Sequence, residues 1–404
     1  MGHGAKAVKI TSDVYWVGAV DWAIRDFHGY LTARGTTYNA YLVMADKVTL
    51  VDTVKKPFGP EMLDRVASVV DPGRIDYIVS NHAEMDHSGL LPETIAATQP
   101  EAVIASSMGA KTLARHFHEM PAVTAVKDGE TLSLGNMDLR FVETKMLHWP
   151  DSMFSYLPDR GVLFSQDALG MHLASSDRFD DQIDDHVLEW EAAKYYANIL
   201  LPFSPLVQKL LQRLGEMDLD LKYIATDHGP VWRKDQQWIL NLYDQWSRQE
   251  PTRKVLVVYD TMWGSTAKMA EAIGAGLQEG GACVKLLPLS ATHRSDVATE
   301  LLDAGGLVVG SPTINNNMFP TVADALSYVR GLKRQNLVGT CFGSHGWSGE
   351  AVGQVAEIMQ DMKVQMIGDP VKCQWVPDEA ALDQCHAAGL AVAEALEPCR
   401  ECAV

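Results

Sequence analysis

The run Asn81-His82-Ala83-Glu84-Met85-Asp86-His87-Ser88-Gly89 sets four potential metal ligands, His82, Glu84, Asp86 and His87, within a few residues of one another. The segment follows an apolar stretch at 76–80 that reads as a strand. A strand end running into a loop turns several side chains toward one point, whereas a helix would scatter them. Three further candidates stand in similar settings. His148 sits in Met146-Leu147-His148-Trp149-Pro150, Asp167 follows the apolar run 162–165, and His228 sits in Thr226-Asp227-His228-Gly229-Pro230 after the run 223–225. A lone histidine in such a place is usually structural or solvated; the concentration of ligand types at successive strand ends singles these out. Among the 13 histidines, His116 and His118 are set aside, because they fall on a predicted helix over 108–118. Residues two apart on a helix face about 200° from each other and cannot readily share an ion.

All six cysteines (Cys283, Cys341, Cys373, Cys385, Cys399, Cys402) lie in the last third of the chain, so a metal site upstream must use nitrogen and oxygen ligands. Cys399 and Cys402 form one CxxC near the C-terminus. A tetrathiolate site needs a second such pair, so this one reads as part of a loose tail.

A second constellation begins where the apolar run 255–259 ends, in Thr261-Met262-Trp263-Gly264-Ser265-Thr266, with a helix predicted from about residue 267. Backbone N–H groups, the positive end of a helix dipole and three hydroxyls make a site for a phosphate dianion. The GxGxxG spacing of dinucleotide folds is absent, which favours a mononucleotide such as FMN. Two later strand ends carry matching loops. Pro312, Thr313, Asn315 and Asn316 follow the run 306–310, and Ser344, His345, Gly346, Trp347, Ser348 and Gly349 follow the run 337–342. In a doubly wound sheet such loops flank the crevice where ligands bind. Asparagine amides could read the polar edge of a flavin there, and Trp347 or Trp263 could cover a ring face.

Taken together these residues resemble the flavodiiron proteins. The resemblance rests on the order H-x-E-x-D-H at 82–87, then His148, Asp167 and His228, together with segments 17–22, 26–30 and 148–152 and the flavin loops, and it spans the chain. It implies an α/β chain with a metallo-β-lactamase-like αββα domain at 1–250, followed by a flavodoxin-like doubly wound parallel sheet at 251–404. Hydrolases of the same fold resemble H-x-H-x-D-H, with histidine where this chain has Glu84; a carboxylate there makes an oxygen-rich, thiolate-free site suited to two irons rather than Zn²⁺. By resemblance one iron takes His82, Glu84 and His148, the other takes Asp86, His87 and His228, and Asp167 bridges them. In some members the position matching His82 does not contact the metal, so its role stays open. His172, Tyr195 and Tyr196 are candidates for orienting the ligands.

The activity implied is reduction of O₂ to water, of NO to N₂O, or of both. Flavin and two irons together hold four electrons, the number that O₂ requires. Electrons would come from rubredoxin or a similar small redox protein, and a head-to-tail homodimer would bring the FMN of one copy to the irons of the other. Two other readings are a dinuclear zinc hydrolase with a tethered flavodoxin module and a non-catalytic electron-transfer or sensor flavoprotein.

The elements needed to hold these groups are legible. A chain of 404 residues is long enough for two or three domains. Strands are expected near 40–43, 49–52, 77–80 and 102–105, and helices over 61–70, 108–118 and 187–213. The polar, proline-broken stretch 248–253 reads as a linker. Beyond it, apolar runs alternate with predicted helices at 267–277 and 351–362, the signature of a parallel sheet. A net charge of −18 opposes binding to nucleic acid. With 47% apolar residues and no apolar run long enough to span a bilayer, and no signal-peptide pattern at the start, a soluble cytoplasmic protein is expected.

Overall fold

The computed structural model describes residues 5–396; the Cys399/Cys402 pair lies outside them. The chain forms two compact units. The first comprises residues up to His28, Thr32–Tyr195 and Pro205–Asp244; the second comprises Gly29–Leu31, Tyr196–Ser204 and the chain from Gln245 on.

The first unit is built on two sheets. One has seven strands, in the order Val8–Lys9, Val14–Trp16, Tyr41–Val43, Thr49–Val51, Tyr77–Ser80, Ala102–Ser106 and Thr124–Val126. The other has five, in the order Thr131–Ser133, Asp138–Glu143, Met153–Leu157, Val162–Gln166 and Tyr223–Thr226. Alternation explains how each sheet serves two layers. Trp16, Tyr41, Val43, Val51, Val79 and Ile104 point to one face and meet Phe141, Leu157, Val162 and Phe164 of the second sheet in a core between the sheets. Leu42, Leu50, Ile78 and Val103 point the other way, onto Met62 and Val66 of helix Gly59–Ala67 and Leu113 of helix Ser107–His116. Burying each such side chain contributes about 1.5–3 kcal/mol before entropy is counted. This is the expected αββα sandwich.

The sheets also explain where chemistry can sit. Strands Thr49–Val51, Tyr77–Ser80 and Ala102–Ser106 run parallel, as do Val162–Gln166 and Tyr223–Thr226, so their C-terminal ends gather at one edge of the sandwich. At those ends the backbone departs from regular geometry: Asp52, Gln166 and Leu169 have φ of 57°, 46° and 68°. Left-handed backbone in non-glycine residues costs of order 1 kcal/mol or more and tends to cluster at functional sites.

The expected helix over 187–213 is divided. Helix Asp185–Tyr195 passes into a wide turn at Tyr196–Leu200 and a tight turn at Leu201–Phe203, and a new helix starts at Ser204–Glu216. Pro202 accounts for the break, because it lacks an N–H and its ring excludes the preceding helical carbonyl.

The second unit is a doubly wound parallel sheet. Cys283–Pro288, Lys254–Tyr259, Gly306–Gly310 and Val338–His345 lie side by side, and Val371–Gln374 pairs with the end of the last. Strand Cys283–Pro288 has no counterpart in the sequence reading, since it is an edge strand whose exposed residues interrupt the apolar pattern. Helices Ser265–Glu279 and Glu379–Glu394 cover one face, with Met269, Ile273, Leu277 and Val392 packed on Val255, Val257 and Val308.

Candidate metal centre

Strand Tyr77–Ser80 delivers Asn81 and His82 to the sheet edge. The following residues are not the loop expected but a single helical turn, Met85–Ser88, with Glu84 extended just before it. The turn is short enough that Asp86 and His87 still converge. Asp167 follows strand Val162–Gln166, His228 follows Tyr223–Thr226, and His148 lies on the connection from Asp138–Glu143 to Met153–Leu157.

These seven side chains meet. His148 Nε2 lies 3.3 Å from Glu84 Oε2 and 2.9 Å from Asp167 Oδ2, and His82 Nε2 lies 3.3 Å from each of the same two oxygens. On the other side, His87 Nε2 is 3.3 Å from Asp86 Oδ2 and 3.1 Å from Asp167 Oδ1, while His228 Nε2 is 3.2 and 3.4 Å from them. Two sets result, His82, Glu84, His148 and Asp167, and then Asp86, His87 and His228; within each, the ligating atoms lie within 4.8 Å of one another. Donors about 2.0–2.2 Å from one ion stand roughly 3 Å apart, so the spacing suits a metal in each set.

Electrostatics favour cations here. Asp86, Asp167, His82, His87 and His228 are all buried. Buried carboxylates cost several kcal/mol each unless compensated. Both carboxylate oxygens of Asp86, Oδ1 of Asp167 and Nε2 of His87 make no hydrogen bond although they are shut off from solvent. Without a metal, the histidines must take up the compensating charge. Burial pushes His87 down, but the Asp86 and Asp167 carboxylates outweigh it and raise the imidazole to about 9. His82 is raised for the same reason, through Asp151, Asp167 and Glu84. For Asp167 burial acts upward, and the surrounding imidazoles prevail and hold it well below the usual carboxylate range.

Of the residues expected to orient ligands, His172 and Tyr195 lie against the cluster and Tyr196 does not. His172 Nδ1 is 2.9 Å from Thr36 Oγ1, and its ring stands 4.6 Å from His228 and 5.1 Å from Tyr195. Burial, and then the charge on His228, press His172 well below the ordinary imidazole range, so its ring is neutral. Tyr196 instead shares a hydrogen bond with Ser204 Oγ at 3.0 Å and packs on Trp246. Neighbouring residues on a helix point about 100° apart, which separates the two tyrosines.

The sequence reading missed the groups behind the imidazoles. Asp151 Oδ2 lies 3.0 Å from His82 Nδ1, Asp227 Oδ2 lies 3.5 Å from His87 Nδ1, and the Thr37 carbonyl accepts from His228 Nδ1 at 2.5 Å. Both aspartates sit within three residues of a candidate ligand, a signal that could have drawn attention to them. The threonine carbonyl has no signature in sequence.

A cleft of about 740 Å³ opens on the cluster, lined among others by Phe27, His28, Lys55, Glu84, Asp86 and Trp149. His116, set aside as a ligand, ends its helix on this cleft, whereas His118 borders a different depression.

In the second unit, Gly264 takes φ +88° and would present a Cβ to open space, directly before helix Ser265–Glu279. Its N–H donates to Thr261 Oγ1 at 3.0 Å, and Thr266 Oγ1 lies 2.9 Å from Ser344 Oγ, which ties the first loop to the strand Val338–His345. That strand runs on to His345, so Ser344 and His345 are part of it and not of a loop. A Cβ at Gly343 would stand 2.1 Å from the Ser311 carbonyl, so glycine lets the two neighbouring strand ends approach. Asn315 and Asn316, with φ of 50° and 59°, are the two turn residues of the hairpin Thr313–Ile314 and Asn317–Met318. Asparagine suits that geometry whether or not a ligand is near. Trp263 and Trp347 are 95% and 87% exposed beside these loops. An open helix N-terminus with hydroxyls and uncovered aromatic rings fits a flavin phosphate and its ring system.

Comparison with known proteins agrees with this geometry. Residues 36–229 match the family described as ODP family beta lactamase, and residues 257–389 match flavodoxin. The chain is 45% identical to a nitric oxide reductase of Moorella thermoacetica, over 96% of this chain and 98% of that one. It superposes on the solved rubredoxin oxygen:oxidoreductase of Desulfovibrio gigas with a TM-score of 0.95 at 45% identity, covering 97% and 99% of the two chains. On the flavodiiron protein of Giardia intestinalis the TM-score is 0.91 at 34% identity, with 98% and 97% covered. With near-complete coverage of each relative and both halves matched, the chain belongs to the flavodiiron protein family.

Proposed function

We propose that this chain is an oxidoreductase that reduces O₂ to water, NO to N₂O, or both, at a non-haem diiron centre supplied with electrons through FMN. The observation that carries the proposal is the position of Asp167, whose two carboxylate oxygens face two separate histidine and carboxylate sets. In this reading one iron is held by His82, Glu84 and His148, the other by Asp86, His87 and His228, with Asp167 shared. FMN is held by Thr261 to Thr266, by Pro312, Thr313, Asn315 and Asn316, and by Ser344 to Gly349. The chemistry supplied by the bound groups is a store of four electrons and a Lewis-acidic pair of metals beside each other.

The protein's own residues prepare for this. Three carboxylates balance the metal charge in a buried site, and the imidazoles stay neutral while ligating. Neutral His172 and Tyr195 close the apolar side of the cluster around His228. Glu84, one of the less buried members, and Asp86 line the cleft from which substrate arrives.

We also propose two domains at 1–250 and 251–404, a head-to-tail homodimer, a cytoplasmic location, and rubredoxin or a similar small redox protein as donor. The name of the Desulfovibrio gigas relative supports the donor. Among the described residues no helix is long and apolar enough to cross a membrane. Iron and flavin content of the purified protein, followed by O₂ and NO consumption with reduced rubredoxin, tests the reading. Two irons and one FMN per chain with rapid gas uptake are expected. Two zincs with ester hydrolysis would favour a hydrolase, and slow stoichiometric oxidation would favour an electron carrier.

A further inference from the structure

Two indoles stand in water at neighbouring strand ends of the second unit. Trp375 follows strand Val371–Gln374 and is 60% exposed, and Trp347 lies just beyond strand Val338–His345. Their ring centroids are 6.3 Å apart at an interplanar angle of 55°, within the range of a direct aromatic contact. Val376, also exposed, extends the patch. Single exposed apolar side chains are ordinary, whereas a contiguous apolar patch marks a surface that something covers.

Trp375 is held in place at a cost. Its φ is 63°, a left-handed backbone that a bulky residue adopts only where its surroundings fix it. Three contacts do so, and all lead to the end of strand Val338–His345 and the loop that follows. The Trp375 N–H donates to the His345 carbonyl at 2.7 Å, and Gln374 Nε2 donates to the Gly346 carbonyl at 2.9 Å. A Cβ on Gly346 would stand 2.9 Å from Trp375 Cη2 and 3.1 Å from its Cζ3, so the indole lies on bare glycine backbone. We propose that Trp375, with Gln374, is a positioning residue for the flavin, an inference that rests on FMN being the ligand of this site. The pair fixes the loop Gly346–Gly349 and the Trp347 indole in the conformation that receives the isoalloxazine ring before the ring arrives. Preorganisation of this kind raises affinity by removing the cost of ordering the loop on binding, with no added contact to the ligand. An effect passed through Trp347 has a signature, because it vanishes once Trp347 is removed.

The test uses full-length, iron-loaded protein depleted of flavin and titrated with FMN. Trp375→Ala should raise the dissociation constant about 2- to 12-fold, the range that one aromatic contact is worth. Trp375→Phe keeps a ring over Gly346 and should restore most of the affinity. Gln374→Ala removes the second anchor while leaving both indoles, and should shift the constant in the same direction; it keeps the question answerable if Trp375→Ala does not fold. Trp375→Ala added to Trp347→Ala should weaken binding no further. A side chain that served stability alone would lower the Tm of the flavin-free protein and leave the FMN dissociation constant where it was. An unchanged constant in Trp375→Ala, or in Gln374→Ala where Trp375→Ala does not fold, overturns the proposal. So does an undiminished effect of Trp375→Ala in the Trp347→Ala background, which would make Trp375 a direct flavin contact. Wild-type protein that binds no FMN overturns the flavin reading itself and is recognised before any variant is made.

Discussion

Asp167 presents Oδ2 to His148 Nε2 at 2.9 Å and Oδ1 to His87 Nε2 at 3.1 Å, so one side chain belongs to both halves of the cluster. No other residue of the seven has its two donor atoms divided in this way. If each half holds an iron, the distance between the metals is set by the span of a single carboxylate. Asp167→Ala should therefore lose both irons together rather than one. The measurement is iron per chain after gel filtration, with FMN as internal standard. Retention of one full iron with normal flavin would show that the two sites form independently.

Glu84 is the position at which this chain parts from hydrolases of the same fold, and it meets His82 and His148 through one oxygen, Oε2. Glu84→His exchanges an anionic oxygen for a neutral nitrogen, which shifts the donor set toward zinc. Protein grown with both metals available should then carry more zinc than iron, with gas reduction lost and the FMN spectrum normal. Full iron loading with retained gas reduction would remove Glu84 from the ligand set.

Trp347 lies almost fully exposed beside the loop that begins after His345. A side chain of that size left in water at a strand end is well placed to cover a flavin ring, with stacking worth about 0.5–1.5 kcal/mol. Trp347→Ala should raise the FMN dissociation constant by roughly 2- to 12-fold, the same range converted at 1.4 kcal/mol per decade. Fluorescence titration of the flavin-free protein measures it. Iron content should not change, and an unaltered flavin affinity would place the ring elsewhere.

What the sequence made legible follows from physics that acts locally. Ligand types crowded at strand ends, hydroxyls before a helix and apolar runs alternating with helices are short-range patterns, and the αββα sandwich and parallel sheet stand where those patterns put them. The departures have long-range causes. Tyr195 and Tyr196 are equivalent in composition, yet only the first faces the cluster, because helical phase and the break before Pro202 decide their directions. Asp151 serves His82 across 69 positions of chain, a pairing set by how the two sheets stack. Asn315 and Asn316 show the converse case, in which a suggestive residue type also satisfies a turn.

The protonation of the metal-free cluster gives the last prediction. His87 is raised to about 9 by Asp86 and Asp167 against the opposing influence of burial, while an unfolded histidine titrates near 6.5. A group whose folded value is raised stabilises the fold fully below about pH 6.5 and loses that contribution as pH climbs through about 9. Asp52, raised by burial to about 6, completes its own loss below this window. Metal-free protein should therefore lose thermal stability between about pH 6.5 and 9. Iron must displace the same proton, so its affinity should rise about tenfold per pH unit across that range for each proton released. The gap in Tm between iron-loaded and metal-free protein should widen with pH, and calorimetry in paired buffers measures it. A gap that narrows would mean that the imidazoles are already neutral before metal arrives, and that the carboxylates are compensated by something other than His87.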